Sequence, residues 1–161
     1  MAGTDSINHE GAARGKRLAG GQHRQEGSVA LLSIHPRYVD LIRKGEKSVE
    51  FRRRPFARII SHIVIYSTTP VKRLIGVCEV ERVVRDTPAA LWYDHGDKGG
   101  ITREALFAYL EGLLTATAIV IRKFIPFTTE MYLPEIGIEH PPQSFQYLND
   151  VAFTSLTQKC T

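Results

Sequence analysis

Between Ile59 and Asp86 the chain reads IISHIVIYST, then a turn opened by Pro70, then KRLIGVCEVERVVRD. Both runs are rich in β-branched residues and too long to be anything but strands. With only a turn between them they must pair antiparallel. A third such run, TATAIVIRKFIPFTTE from Thr115, lies beyond two short helical patterns. Strands therefore follow one another at irregular intervals, without the steady strand–helix alternation of a doubly wound sheet. The expectation is an α+β chain built on a small, partly closed mixed β-barrel, with flanking helices plugging its ends.

The other elements fit around these strands. VALLSI, from Val29, has strand length, and HPRYVDLIRKG then reads as a helix. Pro36 suits the first helical position, and Tyr38, Leu41 and Ile42 make an apolar face. Gly45 supplies the stop. SVEFRRR is a strand, and Gly76 marks a bend or bulge in a longer one. TPAALWYDHGDKGG reads as a helical turn leading into a glycine-rich loop. Thr102 caps a helix whose inner stripe is Leu106, Tyr109, Leu110 and Leu113. Prolines 141 and 142 fix an extended entry into SFQYL, and a short helix or frayed end closes the chain. Residues 1–28 hold almost no large apolar side chains, so a disordered tail is expected there, one that offers a route to a protein partner. Residues 29–150 form the folded domain and 151–161 a C-terminal extension.

Hydrophobic residues make up 43% of the 161, enough for a core, and the formal charge of +4 permits a nucleic-acid partner without requiring one. Two cysteines, Cys78 and Cys160, exclude a disulfide framework, and no Cys/His spacing suggests a metal. No cofactor motif is present: there is no phosphate-cradling GxxxxGK[ST] loop and no GxSxG elbow. No apolar run reaches membrane-spanning length and no secretory leader is seen, so a cytoplasmic protein is expected.

The basic surplus is local. Residues 43–58 hold Arg43, Lys44, Lys47, Arg52, Arg53, Arg54 and Arg58 against Glu46 and Glu50. In GEKSVEFRRR, residues 45–54, apolar and charged residues alternate. On a strand, Val49, Phe51 and Arg53 would face one way, and Ser48, Glu50, Arg52 and Arg54 the other. Such a face is either edge protection with a same-face ion pair or a phosphate-binding footprint.

Gly45, Lys47, Glu50 and Arg52 spell GxKxxExR, and on that motif the chain resembles the ASCH domain family, whose fold is PUA-like. The surrounding order of elements agrees: LLSIHPRYVDLIRKG before the motif, then a strand ending Tyr66-Ser67-Thr68-Thr69-Pro70, a glycine-containing strand, and Pro-Pro-Gln-Ser-Phe near the end. The resemblance implies a cleft between barrel and helix that binds RNA or a modified nucleotide. Lys47 and Arg52 would contact phosphate or a polarised carbonyl, Glu50 would accept from a base edge or hold Lys47, and Gly45 would shape the turn. Some members resemble amidohydrolases of acylated cytidine and others are linked to RNA cleavage, so Lys47 and Glu50 are the catalytic candidates if the chain is an enzyme. This chain departs from the amidohydrolase pattern: Glu50 occupies the place of a threonine, and only Asp97 approaches the second carboxylate. A role as a protein adaptor in transcription is a third implication of the family.

Further ligand candidates are Arg54, the hydroxyls of Ser67, Thr68 and Thr69 at a strand end, and Gln143, Ser144 and Phe145 closing the cleft. A satisfied turn accounts equally well for residues 67–69, and loop packing for residues 143–145. Trp92 and Tyr93 could stack on a base, with core or cleft-lid packing the preferred reading for Trp92. His35 belongs to the helix start.

Overall fold

A computed structural model describes residues 27–160. The expected tail therefore lies outside the described residues, except that Ser28 already opens the first strand. In chain order the elements are β1 (Ser28–Ile34), α1 (Pro36–Arg43), β2 (Val49–Arg52), β3 (Ile60–Ser67), β4 (Arg73–Asp86), α2 (Pro88–His95), α3 (Arg103–Tyr109), β5 (Ala116–Met131), β6 (Phe145–Leu148) and α4 (Asp150–Thr157). A 3-10 turn at Gly96–Lys98 follows α2 and another at Leu133–Ile136 precedes β6.

The six strands form one sheet in the order β2-β5-β4-β3-β1-β6. β1 and β3 are parallel and every other neighbouring pair is antiparallel. The α+β expectation is met, but the barrel is not closed. Among the described residues β2 and β6 are edges with no ladder between them, and Arg52 reaches from β2 to the residue before β6. β2 ends at Arg52, two residues earlier than the strand pattern implied, and Arg53 and Arg54 begin an exposed loop.

Alternation along the strands fills two layers. Ala30, Leu32, Ile34, Ile63 and Ile65 pack with Val39 and Ile42 of α1. Val29, Leu31, Val64 and Tyr66 face the other way, against Leu133 and Leu156 of α4. On β4 the phase slips. Leu74 and Val77 share one layer and Ile75 and Cys78 the other, so Gly76 adds an extra residue to the strand. The registers with β3 and β5 shift at the same place. A Cβ on Gly76 would lie 2.5 Å from the Ile125 carbonyl oxygen. A third cluster joins Val49 and Phe51 of β2 to Leu91, Leu106, Leu110 and the start of β5.

α1 keeps its expected ends. The His35 side chain accepts from the Arg37 N–H, and Pro36 opens the helix. At the other end Gly45 has φ +74, its N–H donates to the Ile42 carbonyl, and the Glu46 N–H donates to that of Leu41. These are the two bonds of a Schellman stop. The buried face differs from the expected one: Val39 and Ile42 are buried, and Tyr38 is left half-exposed at the side.

Two outcomes follow for stability. Gly76→Ala, forced against backbone, lowers unfolding stability by about 1–3 kcal/mol, and Gly45→Ala, with open space around its Cβ, by about 1 kcal/mol; urea titration checks both. His62, on β3, lies 5.1 Å from the Phe153 ring of α4. Burial lowers its pKa, with Glu79 partly opposing. The folded protein thus holds this proton less readily than the unfolded chain. Its contribution to stability is complete above the ordinary value of 6.5 and is lost as pH falls through the depressed one. His62→Gln flattens that part of the pH dependence, read from urea midpoints between about pH 5 and 7.5.

Candidate functional site

The Schellman stop turns the chain so that Lys47 points inward. Its own N–H is held by the Leu41 carbonyl, and Ser48 is fixed from both sides by Lys98 and Ile121. Lys47, Glu50 and Arg52 are all buried, at 4, 6 and 7% exposure. Glu50 bridges the cations. Its Oε2 is 3.1 Å from Lys47 Nζ and its Oε1 3.4 Å from Arg52 Nη1. Lys47 Nζ also donates to the carbonyls of Val49, at 2.8 Å, and Gly99, at 2.5 Å. Its three protons therefore have three acceptors.

Arg52 reaches across the open seam. Nη1 donates to the Ser33 carbonyl on β1, and Nη2 to the carbonyl and Oγ of Ser144, just before β6. Arg52 Nε is buried with no hydrogen-bond partner among the described residues. The set carries one surplus positive charge.

Above it lies a cleft of about 260 Å³ lined by Ser33, His35, Tyr38, Ile101 and Tyr109, among others. Tyr38 stands beside Lys47, with Nζ 5.1 Å from its ring centre. Burial raises the Tyr109 pKa; Arg52 opposes this and Glu50 adds to it. The phenol is thus a neutral donor and acceptor at ordinary pH. Cys78 also feels Glu50: burial first and that carboxylate second push its thiol far up, so it is inert as a nucleophile.

The glycine-rich loop forms one side of the floor. A Cβ on Gly99 would lie 2.4 Å from the Phe51 ring, and Gly100 has φ +62 close to Leu41 and Lys47. Only bare backbone fits there, which is how the Gly99 carbonyl reaches the ammonium.

Of the candidate residues, Lys47, Glu50, Arg52 and Ser144 come together. Gly45 shapes the turn and stays outside the cleft. Arg54 is exposed beyond the strand. Gln143 is exposed, and Phe145 packs on Phe56 at 4.5 Å. Ser67 is buried. Thr68 and Thr69 line a different cleft, of about 420 Å³, with Tyr66, Lys72, Arg73 and Tyr132. Arg73 lies 3.5 Å over the Tyr132 ring. Lys72 has φ +52, and its side chain has no partner among the described residues.

The two clefts share an edge of the sheet. Ser33 pairs with Tyr66 and Ile34 with Ser67, so both open where the parallel strands β1 and β3 end. The segment from Pro141 to Ser144 runs between them: Pro141 lines the second, Ser144 holds Arg52, and the Pro142 carbonyl accepts from Ser33 Oγ. Tyr38 and Tyr109 were legible only as helix-face residues, and no sequence signal marks Lys72. Among the described residues no group of three metal-ligating side chains is found, and no helix is long and apolar enough to cross a membrane.

Fold and motif define an ASCH domain. The family model for the ASCH domain matches residues 32–124, and the chain belongs to that family. An ASCH domain-containing ribonuclease of Zymomonas mobilis is 35% identical over 123 residues, 74% of this chain and 83% of the relative. The crystal structure of ASCH from Zymomonas mobilis superposes with a TM-score of 0.76 at 32% identity, covering 83% of this chain and 96% of that one. A fainter likeness, 23% identity over 134 residues, covers 43% of large ribosomal subunit protein uL22 of Ureaplasma parvum.

Glu50→Gln leaves two buried cations without their anion. The expected loss is about 3–5 kcal/mol, against less than about 1 kcal/mol for Arg43→Met, which breaks the exposed pair with Glu130. Urea unfolding of the two variants measures the contrast.

Proposed function

We propose that this chain binds single-stranded RNA along the edge where β1 and β3 end, and cleaves it. The observation that carries the reading is the adjacency of the two clefts. One is cationic and walled by Tyr38 and Tyr109, suited to an unstacked base. The other presents Lys72 and Arg73 beside the hydroxyls of Thr68 and Thr69, suited to the sugar-phosphate backbone. The relative named as a ribonuclease supports the choice of substrate and of reaction.

The roles of the motif residues follow from their bonds. Lys47 is engaged by the carbonyls of Val49 and Gly99 and by Glu50, all within the floor of the cleft. It is better read as a positioning residue that ties the glycine loop to the floor. Glu50 fixes both cations. Arg52 keeps one N–H unspent beside the cleft and supplies the surplus charge that favours an anion.

Lys72 has the opposite character. Its backbone sits in the left-handed region that a lysine avoids, at a cost of about 1–2 kcal/mol, and its ammonium has no partner among the described residues. Strain of this kind is maintained where geometry serves a site. An ammonium there is placed to stabilise the charge on the phosphate as the ribose 2′-hydroxyl attacks the adjacent phosphorus, the P–O5′ bond breaks to leave a 2′,3′-cyclic phosphate, and the departing 5′-oxygen gains the proton that the 2′-hydroxyl loses.

Incubation of the pure protein with end-labelled single-stranded RNA tests the proposal. Retention on a filter and shortening on a gel are expected, and RNA neither retained nor shortened would sink it. Lys72→Gly keeps the left-handed backbone and removes the cation. It should slow cleavage about 100-fold with little change in melting temperature, whereas Lys47→Met should lower the melting temperature.

A further inference from the structure

The loop between β2 and β3, residues 53–59, carries three arginines, Arg53, Arg54 and Arg58. It starts directly after Arg52, whose side chain lines the motif cleft. Arg53 turns back and donates to the carbonyls of Tyr109 and Glu111 at the end of α3. Arg54 and Arg58 stay exposed. The Arg54 side chain has no partner among the described residues, and Arg58 has only the Tyr147 ring, 4.3 Å from its guanidinium. Two other surface arginines do find carboxylates, Arg43 with Glu130 and Arg82 with Glu81, whereas Arg37 and Arg103 lie against rings as Arg58 does. No carboxylate pairs with any of the three loop arginines among the described residues.

The loop is nonetheless held in place. The Ala57 N–H donates to the Tyr147 hydroxyl at 2.9 Å, and Phe56 packs on Phe145. Tyr147 therefore anchors the loop backbone and steadies the Arg58 side chain at once. A guanidinium that is already ordered and unpaired loses little conformational freedom when it meets an anion. The loop also lies across the residues that follow Ser144, which forms the far side of the Arg52 grip.

We infer that this loop is a second phosphate-binding surface, which takes the backbone of the RNA segment flanking the nucleotide in the motif cleft. The inference rests on the RNA reading above and extends it to the loop that follows Arg52. It separates two contributions to binding. The cleft receives one nucleotide, and Arg54 and Arg58 each neutralise a phosphate outside it without reading a base.

The test is a salt titration of binding with a cleavage-resistant 2′-O-methyl single-stranded RNA. The double variant Arg54→Gln/Arg58→Gln should lower the slope of log affinity against log salt by about 1.4, from about 0.7 per phosphate on a single strand. Arg54→Lys/Arg58→Lys should retain the wild-type slope. A mononucleotide, which reaches only the cleft, should bind the wild type and the Gln variant alike. An unchanged slope in the Gln variant overturns the inference, as does an equal loss with the mononucleotide. Wild-type protein that binds neither probe removes the RNA reading itself, and this surface with it.

Discussion

Glu50 is the point on which the site turns. It is one buried carboxylate between two buried cations, and each partner reaches a different part of the molecule. Through Lys47 it fixes the end of α1 and the glycine loop after α2. Through Arg52 it fixes the end of β1 and the segment before β6. Neither cation would remain buried without a neighbouring anion, since stripping a charge of water costs several kcal/mol even after relaxation. The carboxylate therefore ties the end of α1 and the glycine loop to the β1–β6 margin, which no ladder joins to β2 among the described residues.

The energetic logic of the fold differs from that of a closed barrel. A closed barrel removes its edges by a continuous ladder. Here β2 and β6 remain edges, and Arg52 spans them with bonds to Ser33 and Ser144. The sheet itself stands on the apolar layers beneath it, in which Leu31, Leu32, Ile63, Ile65 and Leu74 are fully buried. Charge and grease thus do separate work: the layers make the sheet, and the ionic set decides how its margins are arranged around the cleft.

Much of this was legible in the chain's pattern. Long strands separated by a turn announced the sheet, Gly76 announced its bulge, and the alternation in GEKSVEFRRR announced a face that was neither core nor solvent. Some of the site was not legible, for physical reasons. Tyr38 and Tyr109 fall on helical stripes, and a stripe says which side of a helix faces the fold but not whether a cleft lies under its margin. The Gly99 carbonyl is an acceptor without a side chain, so no residue type advertises it. Lys72 looks like any turn lysine until its backbone is known to be left-handed. Three successive arginines gave no sign that β2 ends after the first.

The seam closed by Arg52 has one more consequence. A ladder resists parting along its whole length, whereas a guanidinium fork releases as a unit. The width of the cleft and the separation of the two sheet margins are therefore coupled, with Arg52 acting on both. A molecule that settles against that fork is in contact with the latch of the fold as well as with its mouth.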